Sequence, residues 1–250
     1  MVAAAARDLD DGDTVFVGIG MPLLACSLAK RLHAPELSMV YESGIIGAAT
    51  TEGEVPTTIS DPRSVVGARS VIPQFDNFSS MLQGGNIDVG FLGGAQIDKR
   101  GNINSTVIGD YDDPDVRLPG SGGACEIANN SGRIVIITPH ETRRFPPEVD
   151  FITSPGHVGG ANGRDDLGLT GDGPSTVITD KAVMRFDAAG EMYVDQIHPD
   201  FSREEIQDHT GWEVRFTADV IETAPPTSEE LDILRTELDP NNVYIGGPGE

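Results

Sequence analysis

A carboxylate placed where an apolar run breaks into glycine is in a position to do chemistry. In Met39-Val40-Tyr41-Glu42-Ser43-Gly44-Ile45-Ile46-Gly47 such a run meets a glutamate, then a serine and two glycines. If residues 38–41 form a buried strand, Glu42 stands at its carboxyl end, where open α/β sheets bind their ligands. Gly44 and Gly47 let the chain turn sharply and let a substrate approach without a Cβ in the way. A carboxylate held there can serve as base, metal ligand or nucleophile; a loop glutamate beside a turn is the plain alternative. Two further glycine loops follow, Gly93-Gly94-Ala95-Gln96 and Pro119-Gly120-Ser121-Gly122-Gly123-Ala124. Neither carries a P-loop lysine. Such loops expose backbone N–H groups, which donate to an anionic oxygen.

Other reactive residue types offer less. The two cysteines, Cys26 and Cys125, have no CxxC partner, so neither a disulfide framework nor a zinc site is indicated. Cys26 lies in an apolar helical run and reads as a buried small side chain. Cys125 flanks the third glycine loop but has no histidine near it in sequence, which argues against catalysis. The five histidines, at 33, 140, 157, 198 and 209, are scattered and read as structural; no metal is expected. Arg143-Arg144 has two readings, as a binder of a substrate carboxylate or phosphate, or as a loop anchor through acidic neighbours.

The elements that would position these residues alternate between strand and helix. Residues 14–17 read as a buried strand, and 21–32 as a helix with apolar positions at 21, 24, 25, 28, 29 and 32 and a proline near its start. Gly18-Ile19-Gly20 invites a dinucleotide fingerprint, but residue 23 is leucine rather than glycine, and a Rossmann site is rejected. Further strands are expected over 64–66, 87–92, 133–138, 149–154, 175–180, 182–186 and 192–197. Helices are expected over 79–83, 125–130, 203–208 and 228–236. The pattern implies an α/β fold, an open, mainly parallel sheet with helices on both faces. The chain reads as one domain over 1–250, with a polar, proline- and glycine-rich tail from about 238 that is extended or faces a partner.

Composition narrows the function classes. With 17 Lys and Arg against 40 Asp and Glu, the net charge is −23, which repels nucleic acid and anionic membranes. No apolar run approaches the roughly 18 residues of a membrane span. The start of the chain lacks a signal peptide's charged region and long apolar core, so a cytoplasmic protein is expected. Acidic runs are spread along the sequence, which suits a surface adapted to high salt; melting across a salt series tests that halophilic expectation.

Taken together, the motifs resemble those of class I CoA-transferase β subunits, and among them the B subunits of glutaconate CoA-transferases. The matching residues are Tyr41-Glu42-Ser43-Gly44, Gly93-Gly94-Ala95-Gln96-Ile97-Asp98, Gly101-Asn102-Ile103-Asn104-Ser105-Thr106 and Gly120-Ser121-Gly122-Gly123-Ala124. Downstream, His140-Glu141-Thr142-Arg143-Arg144-Phe145 and Thr153-Ser154-Pro155-Gly156 also fit. The resemblance implies a CoA-transferase fold, shared with some isomerases and transcriptional sensors. It implies that Glu42 is the nucleophile of a ping-pong reaction through a glutamyl-CoA thioester. Gly123 would donate its backbone N–H to the oxyanion, with Gly122 the near alternative, and Gln96 would assist. Ser43, Gly44, Gly94 and Gly122 would border the bound CoA thioester. Coenzyme A enters as a substrate, with no permanently bound cofactor. The partner implied is an α subunit of the same fold, without which the chain would be inactive, in an αβ unit assembled as α2β2 or larger. The rivals are a CoA-thioester hydrolase on the same frame, whose members lack the glutamate, and a non-catalytic binding protein. The identity of the acyl group is left open.

Overall fold

A computed structural model describes residues 1–49, 53, 55–160 and 162–246. They form two compact units, one of Met1–Phe91 with Pro226–Glu250, the other of Leu92–Pro225.

The first unit holds β1 (Thr14–Phe16), β2 (Ser38–Val40), β3 (Ile45–Ile46), β4 (Ser70–Val71) and β5 (Val89–Leu92), side by side as β5-β1-β2-β3-β4. β1 runs parallel to β2 and β5, while β3 and β4 are antiparallel additions. Val15, Met39, Val40 and Val89 are fully buried, as expected of parallel strands covered on both faces. α1 (Val2–Ala6) precedes β1, and α2 (Met21–Leu32) spans the expected residues, with proline in its first turn and Lys30 and Arg31 in its last. The basic pair suits the negative end of the helix dipole. Leu24, Ala25, Leu28 and Ala29 form its buried face, and Cys26 lies there too. Burial pushes the Cys26 thiol far above its ordinary range, which makes it an inert apolar filler.

Residues 64–66 depart from the expected strand. Asp61 caps the backbone N–H of Arg63 and also pairs with its guanidinium, so Pro62–Val65 closes into a 3-10 turn. Farther on, α3 (Gln74–Asp76) passes directly into a π-helical turn, Asn77–Leu82.

In the second unit two short hairpins come first, β6 (Gln96–Ile97) with β7 (Ile103–Asn104) and β8 (Val107–Gly109) with β9 (Pro114–Arg117). β10 (Arg133–Ile137), β11 (Pro174–Ile178), β12 (Ala182–Phe186), β13 (Met192–Ile197) and β14 (Arg215–Glu222) then lie in the order β14-β13-β12-β11-β10. β10 pairs parallel with β11 and β13 with β14, whereas the β11–β12 and β12–β13 pairings are antiparallel. Helices α4 (Ala124–Asn130), α5 (Gly163–Asp166) and α6 (Arg203–Asp208) join them, α6 entered through a Ser202–Glu205 capping box.

No strand forms over 149–154. The exposed Asp150 carboxylate instead accepts from Gln96 and the Gly109 N–H, and Thr153 and Ser154 bond Ile103 in a single isolated bridge. The connection at 156–173 is fastened by Arg164, whose guanidinium is buried and donates to the carbonyls of Ala128, Pro155, Gly156 and Gly171 at 2.7–3.1 Å.

The chain then returns to the first unit through α7 (Ser228–Asp232), which continues as a π-helix over Ile233–Leu238 and buries Leu234 and Leu238. Arg7 clasps Glu230 through Nε at 2.8 Å. The segment beyond is folded back on itself. Buried Asp239 accepts the N–H groups of Val243, Tyr244 and Ile245 at 2.7–2.9 Å, and Tyr244 donates its hydroxyl to Pro56. Residues 247–250 of the expected tail lie outside the described residues.

Candidate functional site

Glu42 sits at the carboxyl end of β2, in a tight turn that leads into β3. The Gly44 N–H donates to the Tyr41 carbonyl at 2.9 Å, closing a β-turn with Glu42 at its first central position. Gly44 has φ +94, and a Cβ there would lie 2.0 Å from the Ile72 carbonyl oxygen, so no other residue fits. Ile72 donates back to the Gly44 carbonyl at 3.0 Å. Ser43 donates its hydroxyl to the Ile59 carbonyl at 2.7 Å. Tyr41 is buried just before the turn, and burial raises its phenol well above the ordinary range. The Glu42 side chain itself is half-buried. Among the described residues its carboxylate makes no hydrogen bond and no ion pair. The backbone is over-determined while the carboxylate is left available.

The second unit carries the glycine loops. Gly94 packs so closely on β7 that a Cβ would stand 2.3 Å from Ile103 Cγ2, and its carbonyl accepts from Arg144 at 3.0 Å. In the third loop, Gly122 has φ +49 and open space around it, whereas buried Gly123 caps α4 with ordinary φ −83. The first helical N–H groups are already used. Ala124 donates to the Ser121 carbonyl at 2.9 Å and Cys125 to the Ser121 hydroxyl at 3.1 Å. The N–H groups of Gly122 and Gly123 have no acceptor among the described residues. Two adjacent donors without acceptors are what an oxyanion needs.

Gln96 is held differently. Its Oε1 accepts from Asn104 at 2.7 Å and from the Asp150 N–H at 3.0 Å, and its Nε2 donates to Asp150 Oδ2 at 3.0 Å. One Nε2 hydrogen is left over. The residue borders a cavity of about 530 Å³ together with Val116, Leu118, Arg143, Arg144 and Pro146. Arg143 and Arg144 both donate to Glu141 Oε2, at 2.7 and 3.1 Å, which are the contacts of a loop anchor. The Arg143 hydrogen bond, with help from Arg144, holds the Glu141 carboxyl below its usual range.

Cys125 is half-buried and accepts from Asn129 Nδ2 at 3.6 Å; among the described residues nothing basic is bonded to it. His140 is buried with both ring nitrogens bonded, Nδ1 to Thr179 and Nε2 to Thr210. Burial brings its pKa down to about 4, so it stays neutral and structural at pH 7. No group of three His, Cys, Asp or Glu among the described residues is arranged to hold a metal ion, and no helix among them is long and apolar enough to cross a membrane.

One residue of this turn escapes sequence reasoning. Asn77 lies in a stretch with no strand or loop signature, yet its Nδ2 donates to the carbonyls of Tyr41 at 3.0 Å and Glu42 at 3.3 Å. Nothing local marks an asparagine 35 residues past the glutamate as its neighbour.

Known proteins resemble this chain in sequence and fold. The family described as Coenzyme A transferase matches residues 1–209. The B subunit of the 3-oxoadipate CoA-transferase from Pseudomonas knackmussii is 48% identical over 94% of this chain and 90% of its own. The B subunit of the glutaconate CoA-transferase from Acidaminococcus fermentans is 38% identical over 98% of this chain and 93% of its own. The crystal structure of glutaconate coenzyme A-transferase from Acidaminococcus fermentans superposes with a TM-score of 0.91 at 36% identity, covering 99% of this chain and 96% of that one. With its α/β sheet, its glycine loops and matches of this extent, the chain belongs to the coenzyme A transferase family.

Proposed function

We propose that this chain is the β subunit of a CoA-transferase that moves CoA between an acyl-CoA and a free carboxylic acid, with Glu42 as the nucleophile. The observation that carries the reading is a carboxylate without a partner on a fully fastened turn. In water a carboxylate is a poor nucleophile because it is well solvated; enclosure strips that solvation. Here the Glu42 carboxylate attacks the thioester carbonyl and expels CoA thiolate, leaving a mixed acyl–glutamyl anhydride. The thiolate then attacks the glutamyl carbonyl, releasing the first acid and leaving a glutamyl-CoA thioester. An acceptor carboxylate runs the same two steps in reverse, which gives ping-pong kinetics. Each tetrahedral oxygen needs preorganised donors, and the Gly123 N–H serves, with that of Gly122 beside it in sequence. Gln96, with a single hydrogen to spare, is the auxiliary donor. Ser43, Gly44, Gly94 and Gly122 border the CoA thioester. CoA is a substrate, and no step calls for a resident cofactor or metal.

The two relatives are named as B subunits, and this chain is proposed to work with an α subunit as an αβ unit or a multiple of it. Both relatives are named for dicarboxylic acids, so acyl groups with a second carboxylate head the substrate panel. The test is to purify the chain with its α subunit, add candidate acyl-CoAs and reduce with borohydride. Glu42 should appear by peptide mass as the corresponding alcohol, only when acyl-CoA is present. Full CoA exchange with Glu42 unmodified and no trapped thioester would defeat the reading.

A further inference from the structure

Asn77 is 0% exposed and opens the π-helical turn Asn77–Leu82. Such turns recur at functional sites because the irregular ladder re-aims a side chain. Its Nδ2 group spans two successive carbonyls, those of Tyr41 and Glu42. Among the described residues no other side chain bonds the Glu42 backbone. The Oδ1 atom of the same amide is equally buried and has no donor among the described residues. A buried acceptor left without a donor costs stability, so this asparagine is tuned for its NH2 and not for its own satisfaction. The Gly44 N–H shares the Tyr41 carbonyl with Asn77, whereas Ser43 on Ile59 and Gly44 with Ile72 act elsewhere, so among the described residues Asn77 alone holds the Glu42 carbonyl. Removing Asn77 would free the peptide that carries the Glu42 side chain while leaving those restraints in place.

We infer that Asn77 is a positioning residue for the Glu42 carboxylate, fixing through two carbonyl hydrogen bonds the direction from which it meets the thioester. This rests on Glu42 being the nucleophile. A carboxylate displaced by about 1 Å reacts on the order of 100-fold more slowly while substrate binding is little changed.

The experiment uses the complex with the α subunit and compares Asn77→Ala, the isosteric Asn77→Asp, Glu42→Gln and Leu82→Ala. Leu82 is a fully buried core residue of the same turn, so its truncation loosens the turn without touching the carbonyls. Single-turnover formation of the glutamyl-CoA thioester, trapped by borohydride, reads the chemical step; KM for acyl-CoA and Tm are read alongside. Expected are a roughly 100-fold slower chemical step in both Asn77 variants with KM within about threefold. Leu82→Ala should lower Tm yet trap at the wild-type rate per folded enzyme. The inference is overturned if both Asn77 variants trap within about threefold of wild type, if their losses match those of Leu82→Ala at equal Tm, or if neither assembles. Exchange that survives in Glu42→Gln defeats the nucleophile reading itself, whatever the Asn77 variants do.

Discussion

Glu42 and Gln96 are fastened in opposite ways. At Glu42 the peptide is tied by Asn77, the turn closes on Gly44, and the side chain has no partner among the described residues. At Gln96 the strand is ordinary and the side chain is consumed, its amide locked between Asn104 and Asp150. Binding energy within a protein can go into holding a polar side chain or into holding the backbone beneath one. Only the second leaves the group free to react. By that criterion Glu42 suits the reactive role proposed for it, and Gln96 serves mainly as a joint between β6, β7 and Asp150.

The sharpest way to break the contrast is Glu42→Gln, which keeps size and removes the proposed nucleophile. CoA exchange should fall at least about 10⁴-fold, as for other enzymes that lose a covalent nucleophile, with KM nearly unchanged in any residual activity. Next is Gly123→Pro. Its φ of −83 lies close to the range proline accepts, and the change deletes the N–H; Tm read alongside separates a lost donor from a disturbed loop at Gly122. If the Gly123 N–H is the proposed oxyanion donor, its loss should cost about 10²–10³ in kcat. Gln96→Ala should behave the other way round. Tm should drop by several degrees because Asn104 and Asp150 lose buried partners, while kcat falls no more than about tenfold. A larger kinetic loss without a Tm change would give Gln96 a direct part in the reaction.

His140 extends the second category, since both of its nitrogens are bonded and burial keeps it neutral. In the unfolded chain imidazole takes up a proton near pH 6.5, but the folded protein does so only near pH 4. Between those values the unfolded state binds the extra proton, so stability falls as pH falls, by up to about 3 kcal/mol from this group. His157 and His198, lowered chiefly by burial as well, add in the same direction. Denaturant unfolding from pH 7 to pH 4 checks this, and His140→Gln should flatten the slope.

Much of the fold was legible in the sequence where burial is one-sided or complete. α2 lies over the residues its 3.6 period marks, and β1, β10, β12 and β13 lie within one or two residues of their apolar runs. β14 was not legible, because Arg215, Thr217, Asp219 and Glu222 interrupt its apolar residues and its pairing with β13 supplies what its pattern lacks. The short hairpins β6–β7 and β8–β9 fall below any periodic signal. At 149–154 the apolar pattern pointed to a strand, and the side chain of Asp150 overrode it. At the candidate site, Glu42 and the glycines were visible because residue type carries the signal. Asn77 was not, because its importance is a matter of tertiary contact alone.

The way residues 226–246 are knitted back into the first unit sets an order of events during synthesis. Glu230 meets Arg7, and Tyr244 meets Pro56, only after residues 92–225 have been made. The second unit, being one continuous stretch, has everything it needs earlier. During synthesis the second unit can therefore be finished while the first still lacks its closing segment, whose apolar seat stays open to chaperones until Leu234 and Leu238 arrive.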